Sequence, residues 1–136
     1  MKANFQLESG FNADTGFSAQ GGRLFGRQAY VGLSGGFGAV KIGRNYTAYD
    51  DVRGDLVGGI VFDSAFSPIG DVFDVGGDYE SRVDNSFHYK TPNFGGFSGG
   101  FSYSLGEDKS VTPAVSASSN VALNLSYANG PISVGF

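Results

Sequence analysis

The chain has 136 residues, with nine Lys and Arg against thirteen Asp and Glu, and a formal net charge of −4. This length suits one domain, and the acidic balance argues against nucleic acid as a partner. No cysteine and a single histidine are present, which excludes disulfides, thiol catalysis and Cys/His metal clusters. Glycine contributes 23 residues and aromatic residues 15% of the chain. Together with short apolar alternation, this composition indicates β structure.

Apolar and polar residues alternate in seven short segments, and no stretch sustains the apolar spacing of an amphipathic helix. In the first segment Phe5 and Leu7 share one face, whereas Gln6 and Glu8 share the other. Such alternation predicts strands with two unlike faces. The predicted strands span residues 3–8, 28–33, 39–46, 82–90, 97–105, 121–127 and 132–136.

The connections between these strands alternate in length. Short turns containing Gly or Pro lie at 35–38, 92–96 and 129–131, and long polar connections lie at about 11–26, 47–79 and 107–119. This pattern predicts an all-β, up-and-down antiparallel meander with one short-turn rim and one long-loop rim. Outer-membrane barrels have this asymmetry, although a soluble meander can have it too.

The polar face of the predicted sheet is rich in Ser, Gly, Asn and Gln and carries few charges. Such a face suits a water-filled lumen, with the apolar face turned towards lipid. The alternative is an ordinary β-sandwich, that is, a self-contained binding or surface-interaction module without a pore. No catalytic constellation is visible, so an enzyme is not expected.

Four motifs add a family resemblance: GRLFGRQAYVGL at 22–33, VKIGRNY at 40–46, NSFHYKTPNFGGF at 85–97 and LNLSY at 123–127. In this order and separation they resemble the general trimeric porins of Gram-negative outer membranes, most closely those of β-proteobacteria. The resemblance covers essentially the whole chain. It implies a water-filled channel for passive diffusion of small hydrophilic solutes and ions, without cofactor or metal.

The resemblance also implies a 16-stranded transmembrane barrel, which needs roughly 300 residues. The chain supplies about seven strands, so we expect residues 1–136 to be one partial barrel domain, an internal fragment corresponding to about strands three to nine. The expected partners are outer-membrane lipid, two further copies in a homotrimer, and the diffusing solutes and ions.

In the family, the long loop after the GRNY strand folds into the barrel and narrows it. Here that constriction loop is 47–79, and its apolar residues would pack against the barrel wall. An exposed acidic loop or a cation site is the alternative, although no calcium-loop spacing is present. The predicted constriction-loop acids are Asp50, Asp51, Asp55, Asp63, Asp71, Asp74 and Asp78, against a single base, Arg53.

Opposite the loop, the family places arginines on the barrel wall. By the motif match these are Arg44 and Arg82, with Arg27 as a weaker third candidate. A basic wall facing an acidic loop would create a transverse field that favours polar solutes and sets ion preference.

The alternation of apolar and polar residues supports a lumen position for Arg82 better than for Arg44. Arg82 has the polar parity of Ser86 and Lys90, whereas Arg44 has the apolar parity of Val40 and Ile42. A bulge at Gly43 would turn Arg44 towards the lumen.

The one histidine, His88, also lies on the polar face, between Ser86 and Lys90. We expect it to line the lumen and not to act as a metal ligand or base.

Overall fold

The structure is a computed structural model that describes residues 1–57, 81–106 and 119–136, and only the backbone of 53–57. Its seven strands form one antiparallel sheet in chain order, so each strand pairs with its sequence neighbours. They are β1 (Lys2–Glu8), β2 (Gln28–Gly35), β3 (Gly38–Tyr46), β4 (Arg82–Lys90), β5 (Phe97–Ser104), β6 (Asn120–Asn129) and β7 (Ile132–Gly135). The predicted meander is confirmed, and every predicted strand ends within two residues of the observed one.

The described parts of the long connections contain two helices, where the sequence showed no helical apolar stripe. The first, α1, is a single distorted turn at Ala19–Gly22, and the second, α2, spans Ala48–Val57 directly after β3. Asp50 and Asp51 stand in the first turn of α2, where carboxylates favour the positive end of the helix dipole. Neither helix in the described part of the chain is long and apolar enough to cross a membrane.

The two faces of the sheet are inverted relative to those of a soluble protein. Val31 and Leu123 on the apolar face are 63% and 68% exposed, whereas His88 and Ser102 on the polar face are each 1% exposed. The buried apolar residues of the described ranges are few, namely Ala48, Val52 and Val83. A contiguous exposed apolar face of this extent argues against a self-contained soluble module.

A bulge interrupts the pairing of β3 with β4. Gly43 pairs with Ser86 and Asn45 with Val83, so β4 sets two residues against one residue of β3. The irregularity therefore falls beside Gly43, as predicted, but the extra residue belongs to β4. Asn85 within this bulge adopts a positive φ of 48°, which asparagine tolerates better than most residues.

The position of the bulge corrects two predictions, the turning of Arg44 towards the lumen and the polar parity of Arg82. The β2–β3 pairing runs without a shift, with Val31 opposite Ile42 and Ala29 opposite Arg44, so Arg44 stays on the apolar side. Arg82 pairs with Tyr46, one step beyond the Val83–Asn45 pair. The sequence predicted that Arg82 lies on the same side of the sheet as Ser86 and Lys90. This prediction is wrong, because the bulge in β4 lies between Arg82 and Ser86 and reverses the alternation.

Gly43 itself is required by the close approach of β2. Its φ is +136°, and a Cβ atom at this position would lie 2.3 Å from the backbone oxygen of Ala29. Any side chain would therefore both strain the backbone and separate the two strands.

The exposed apolar face predicts how the chain behaves outside a membrane. In water we expect aggregation, because the apolar face and the unpaired edges of β1 and β7 are open to other copies. In detergent micelles we expect a monodisperse β-sheet protein. Light scattering and circular dichroism with and without detergent check this expectation. A cooperative melting transition of a soluble monomer without detergent would contradict it and favour the self-contained module.

Candidate functional site

A charged cluster forms where β1 and β2 meet at the long-loop rim. Glu8 lies opposite Gln28, and both continue the polar face through the Gln6–Tyr30 pair. The Gln28 side-chain amide donates to one carboxylate oxygen of Glu8 at 2.7 Å, and Arg27 Nε donates to the other at 2.5 Å. The register of two strands thus joins residues about twenty positions apart in the sequence.

Tyr46, at the end of β3, extends this cluster to β4. Arg82 Nη2 donates to the Tyr46 hydroxyl at 2.5 Å, and the guanidinium carbon lies 4.4 Å from the ring centroid. Arg27 Nη2 also donates to this hydroxyl, at 3.4 Å. A hydrogen bond and a cation–π contact therefore hold Arg82 against one ring. We call Glu8, Arg27, Gln28, Tyr46 and Arg82 the wall cluster.

Arg44 belongs to a different group. Its Nη1 donates to Asp84 Oδ1 at 2.9 Å, and its Nε donates to the backbone oxygen of Gly26 at 2.7 Å. Arg23 donates to both oxygens of the same carboxylate, at 2.8 and 3.2 Å. We call Arg23, Arg44 and Asp84 the rim cluster. Of the three predicted wall arginines, the structure brings Arg27 and Arg82 together and places Arg44 apart from them.

The start of α2 is attached to the polar face of the sheet. The Ala48 backbone N–H donates to Ser102 Oγ on β5 at 2.9 Å, and the Asn124 side-chain amide on β6 donates to the Ala48 carbonyl. Ala48 is fully buried between them. Gly100 makes room for this arrangement, since a Cβ there would lie 2.5 Å from the Asn124 amide nitrogen.

His88 contacts α2 one turn further along. Its Nε2 lies 3.0 Å from Asp51 Oδ2, an ion-pair distance, although the two atoms are not aligned as a hydrogen bond. His88 is on the polar face as predicted, but α2 covers it. Its place on the wall of a lumen stays a prediction.

The predicted constriction-loop acids are only partly described. Asp50 and Asp51 lie in the first turn of α2, and Asp55 follows in the same helix at a residue whose side chain is not described. Asp63, Asp71, Asp74 and Asp78 lie outside the described residues. Across 1–57, 81–106 and 119–136, no group of three or more His, Asp or Glu could hold a metal ion.

Two functional candidates, Glu8 and Asp84, could not be recognised from the sequence motifs. Both are acids that join arginines through strand pairing, and no local motif marks either one. The sequence does show that Glu8 lies on the polar face of its strand, and pairing of that strand with the next one would bring Glu8 to the GRQ motif at 26–28.

A meander that exposes its apolar face and carries charges on its polar face is built like the wall of a membrane β-barrel. The model of the Gram-negative porin family matches residues 1–136. The chain belongs to the Gram-negative porin family, as its motifs indicated, and its place is the outer membrane.

Relatives of known identity agree with this assignment. The chain is 36% identical to an outer membrane porin protein of Bordetella pertussis and 34% identical to outer membrane porin protein 32 of Delftia acidovorans, in each case over 98% of the chain. Among solved structures, the anion-selective porin from Comamonas acidovorans superposes with a TM-score of 0.71 at 29% identity, over 98% of the chain. The chain spans 36%, 38% and 40% of these three proteins, respectively.

The attachment of α2 predicts the effect of enlarging Ala48. In Ala48→Leu the added carbons would have to displace Ser102 or Asn124, and overpacking of this kind costs about 1–3 kcal/mol. We expect a lower midpoint of thermal unfolding in detergent and faster proteolysis within α2. Ala3→Leu, on the exposed face of β1, is the matched control and should change neither quantity. Equal behaviour of the two variants would show that Ala48 is not tightly enclosed.

Proposed function

We propose that the protein containing this chain forms a water-filled channel in the outer membrane, through which small hydrophilic solutes and ions diffuse down their gradients. The observation that carries this proposal is the inverted sheet, with apolar side chains outside and a charged, amide- and hydroxyl-rich face inside. Such a wall contributes no chemistry, so the protein is not an enzyme and uses no cofactor. By family membership we also propose that three copies associate.

We further propose that the segment 47–79 narrows this channel. The support is the attachment of its first residues to the polar face, through Ala48 to Ser102 and Asn124 and through Asp51 to His88. Hydrogen bonds can hold the segment at this place, because the face of the sheet that α2 contacts is polar.

The charges would then act across the narrow section. The wall cluster combines the guanidiniums of Arg27 and Arg82 with the carboxylate of Glu8. The loop carries the acids Asp50 and Asp51 on its first helical turn. Opposed charges of this kind align polar solutes and bias the passage of ions. The similar Comamonas protein is an anion-selective porin, which supports a basic wall as the dominant element.

Arg82 is the wall charge whose removal should change ion preference most. In Arg82→Gln we expect the anion-to-cation permeability ratio to fall up to about fivefold, since a unit charge about 8 Å away in water shifts the energies of an anion and a cation by about 0.5 kcal/mol in opposite directions. Zero-current potentials across a planar bilayer under a salt gradient measure this ratio.

Two matched substitutions separate this effect from a general loss of charge. Lys2→Gln removes a charge at the far end of β1, and Arg44→Gln removes one from the apolar side of β3. Both should leave the ratio nearly unchanged. An equal change in all three variants would rule out a local role for Arg82.

Deleting residues 58–77 tests the narrowing role of the loop. We expect a larger single-channel conductance, because the segment proposed to occupy the lumen is shortened while its attachment at Ala48 is retained. Deleting 108–117, from the other long connection, is the control and should have a smaller effect. An unchanged conductance step in the first variant would count against an inserted loop.

A further inference from the structure

Lys41 is a basic residue on the polar face of the sheet that belongs to neither of the two charged clusters. It pairs with Gly32 on β2 and with His88 on β4, and His88 lies on the polar side. The Lys41 Nζ atom lies 5.0 Å from the ring centroid of Tyr30 on β2. Among the residues that the structure describes, no carboxylate pairs with Lys41. An aromatic ring therefore holds this ammonium group, and no acid offsets its charge.

Two glycines allow Lys41 to reach this ring. Tyr30 pairs with Gly43, and Gly32 pairs with Lys41, so these four residues form a rectangle on one face of β2 and β3. Tyr30 and Lys41 stand at opposite corners, and the other two corners carry no side chain. Diagonal neighbours on one face of an antiparallel pair lie about 7–8 Å apart, which a long side chain can span. The stem of Lys41 can therefore cross the sheet diagonally to Tyr30.

The contact with Tyr30 brings the charge of Lys41 towards the wall cluster. Along β2, Tyr30 is two residues from Gln28, a distance of about 7 Å. The Tyr30 hydroxyl donates to Gln6 Oε1 at 2.9 Å, and the Gln6 side-chain amide donates to Glu8 Oε2 at 3.3 Å. A continuous series of side-chain contacts thus joins Lys41, through Tyr30 and Gln6, to the carboxylate of the wall cluster.

The helix α2 leaves this part of the polar face accessible. It packs mainly over β5 and β6. Lys41 and Tyr30, on β3 and β2, both remain partly exposed. His88, which pairs with Lys41 from β4, is by contrast buried beneath α2. The ammonium group of Lys41 is therefore in reach of ions that pass along the polar face.

We propose that Lys41 is a further determinant of ion preference and that Tyr30 is its positioning residue. This inference deepens the proposed channel function and rests on it. Within the wall cluster Glu8 offsets one of the two guanidinium groups, so the ammonium of Lys41 doubles the net positive charge at this place. Exposed charges act over about one Debye length, which is about 8 Å at physiological ionic strength. Lys41 and the wall cluster thus attract the same passing anion.

Zero-current potentials across a planar bilayer under a salt gradient test the role of Lys41. In Lys41→Gln we expect the anion-to-cation permeability ratio to fall up to about fivefold, by the Coulomb argument given for Arg82. Lys41→Arg keeps a cation that can stack on the ring and should retain the wild-type ratio. Lys2→Gln removes the same charge from the same face, near the short-turn rim, and should leave the ratio nearly unchanged.

A second measurement, without ion current, tests the contact with Tyr30. Reductive dimethylation with ¹³C-formaldehyde labels the lysines of the folded protein in detergent and keeps their charge. The signal of Lys41 is the one that is absent from Lys41→Arg. Because an aromatic ring shields groups above its face, we expect this signal upfield of those from exposed lysines.

Two substitutions of Tyr30 separate its ring from its hydroxyl. Tyr30→Leu removes the ring, so the upfield shift should disappear and the permeability ratio should lie between those of the wild type and Lys41→Gln. Tyr30→Phe keeps the ring and loses only the hydrogen bond to Gln6. It should preserve both the shift and the ratio.

The outcomes that would overturn the inference differ from the one that would overturn the channel. A conducting Lys41→Gln variant with the wild-type ratio would exclude Lys41 as a determinant of ion preference and leave the channel in place. The same methyl signal in Tyr30→Leu and in the wild type would exclude the positioning role of Tyr30. A wild-type protein without conductance would overturn the channel and, with it, the role of Lys41, whereas the methyl signal would still decide whether Tyr30 holds Lys41.

Discussion

The structure depends on one constraint, which is that successive side chains of a strand point to opposite sides of the sheet. Each of the five inner strands, β2 to β6, satisfies its backbone hydrogen-bonding groups through two neighbours, as a membrane interior demands. The alternation then assigns every residue of a regular strand to the apolar or to the polar side of the sheet. Val31 and Leu123 lie on one side, and Ser102 and His88 lie on the other. Within the regular part of each strand, the side on which a charged residue lies follows from whether its position is odd or even.

The bulge in β4 reverses the side of the sheet on which the residues beyond it lie. One extra residue lies between Ser86 and Val83, and beyond it the parity of β4 is reversed. Arg82 consequently pairs with Tyr46, whose ring and hydroxyl hold its guanidinium. Arg44 faces the bulge from an uninterrupted strand and keeps the apolar parity. The two arginines therefore differ in their side-chain partners and not in the parity of their strand positions: Arg44 bonds to Asp84, whereas Arg82 bonds to the Tyr46 hydroxyl.

Strand positions could be predicted from the sequence because a period of two is a local property that seven segments each display. The bulge could not, because it depends on the cross-strand pairing of β3 with β4 and on the positive φ of Asn85. The Glu8–Arg27 contact likewise requires the register of β1 against β2. The helix α2 escaped detection because its stability comes from contacts of Ala48 with the sheet and not from an apolar stripe.

These contacts also explain how α2 is held on the polar side of the sheet without an apolar core. In a soluble sheet a helix would pack on apolar side chains, but here the apolar side chains face outwards. The helix α2 therefore attaches through hydrogen bonds from its first residue, Ala48, and through the approach of Asp51 to His88. Small residues such as Gly100 bring the two surfaces close enough for those bonds. Hydrogen bonds are directional, so attachment of this kind fixes the position of α2 more closely than apolar contact would. A segment proposed to set the width of a channel needs that property.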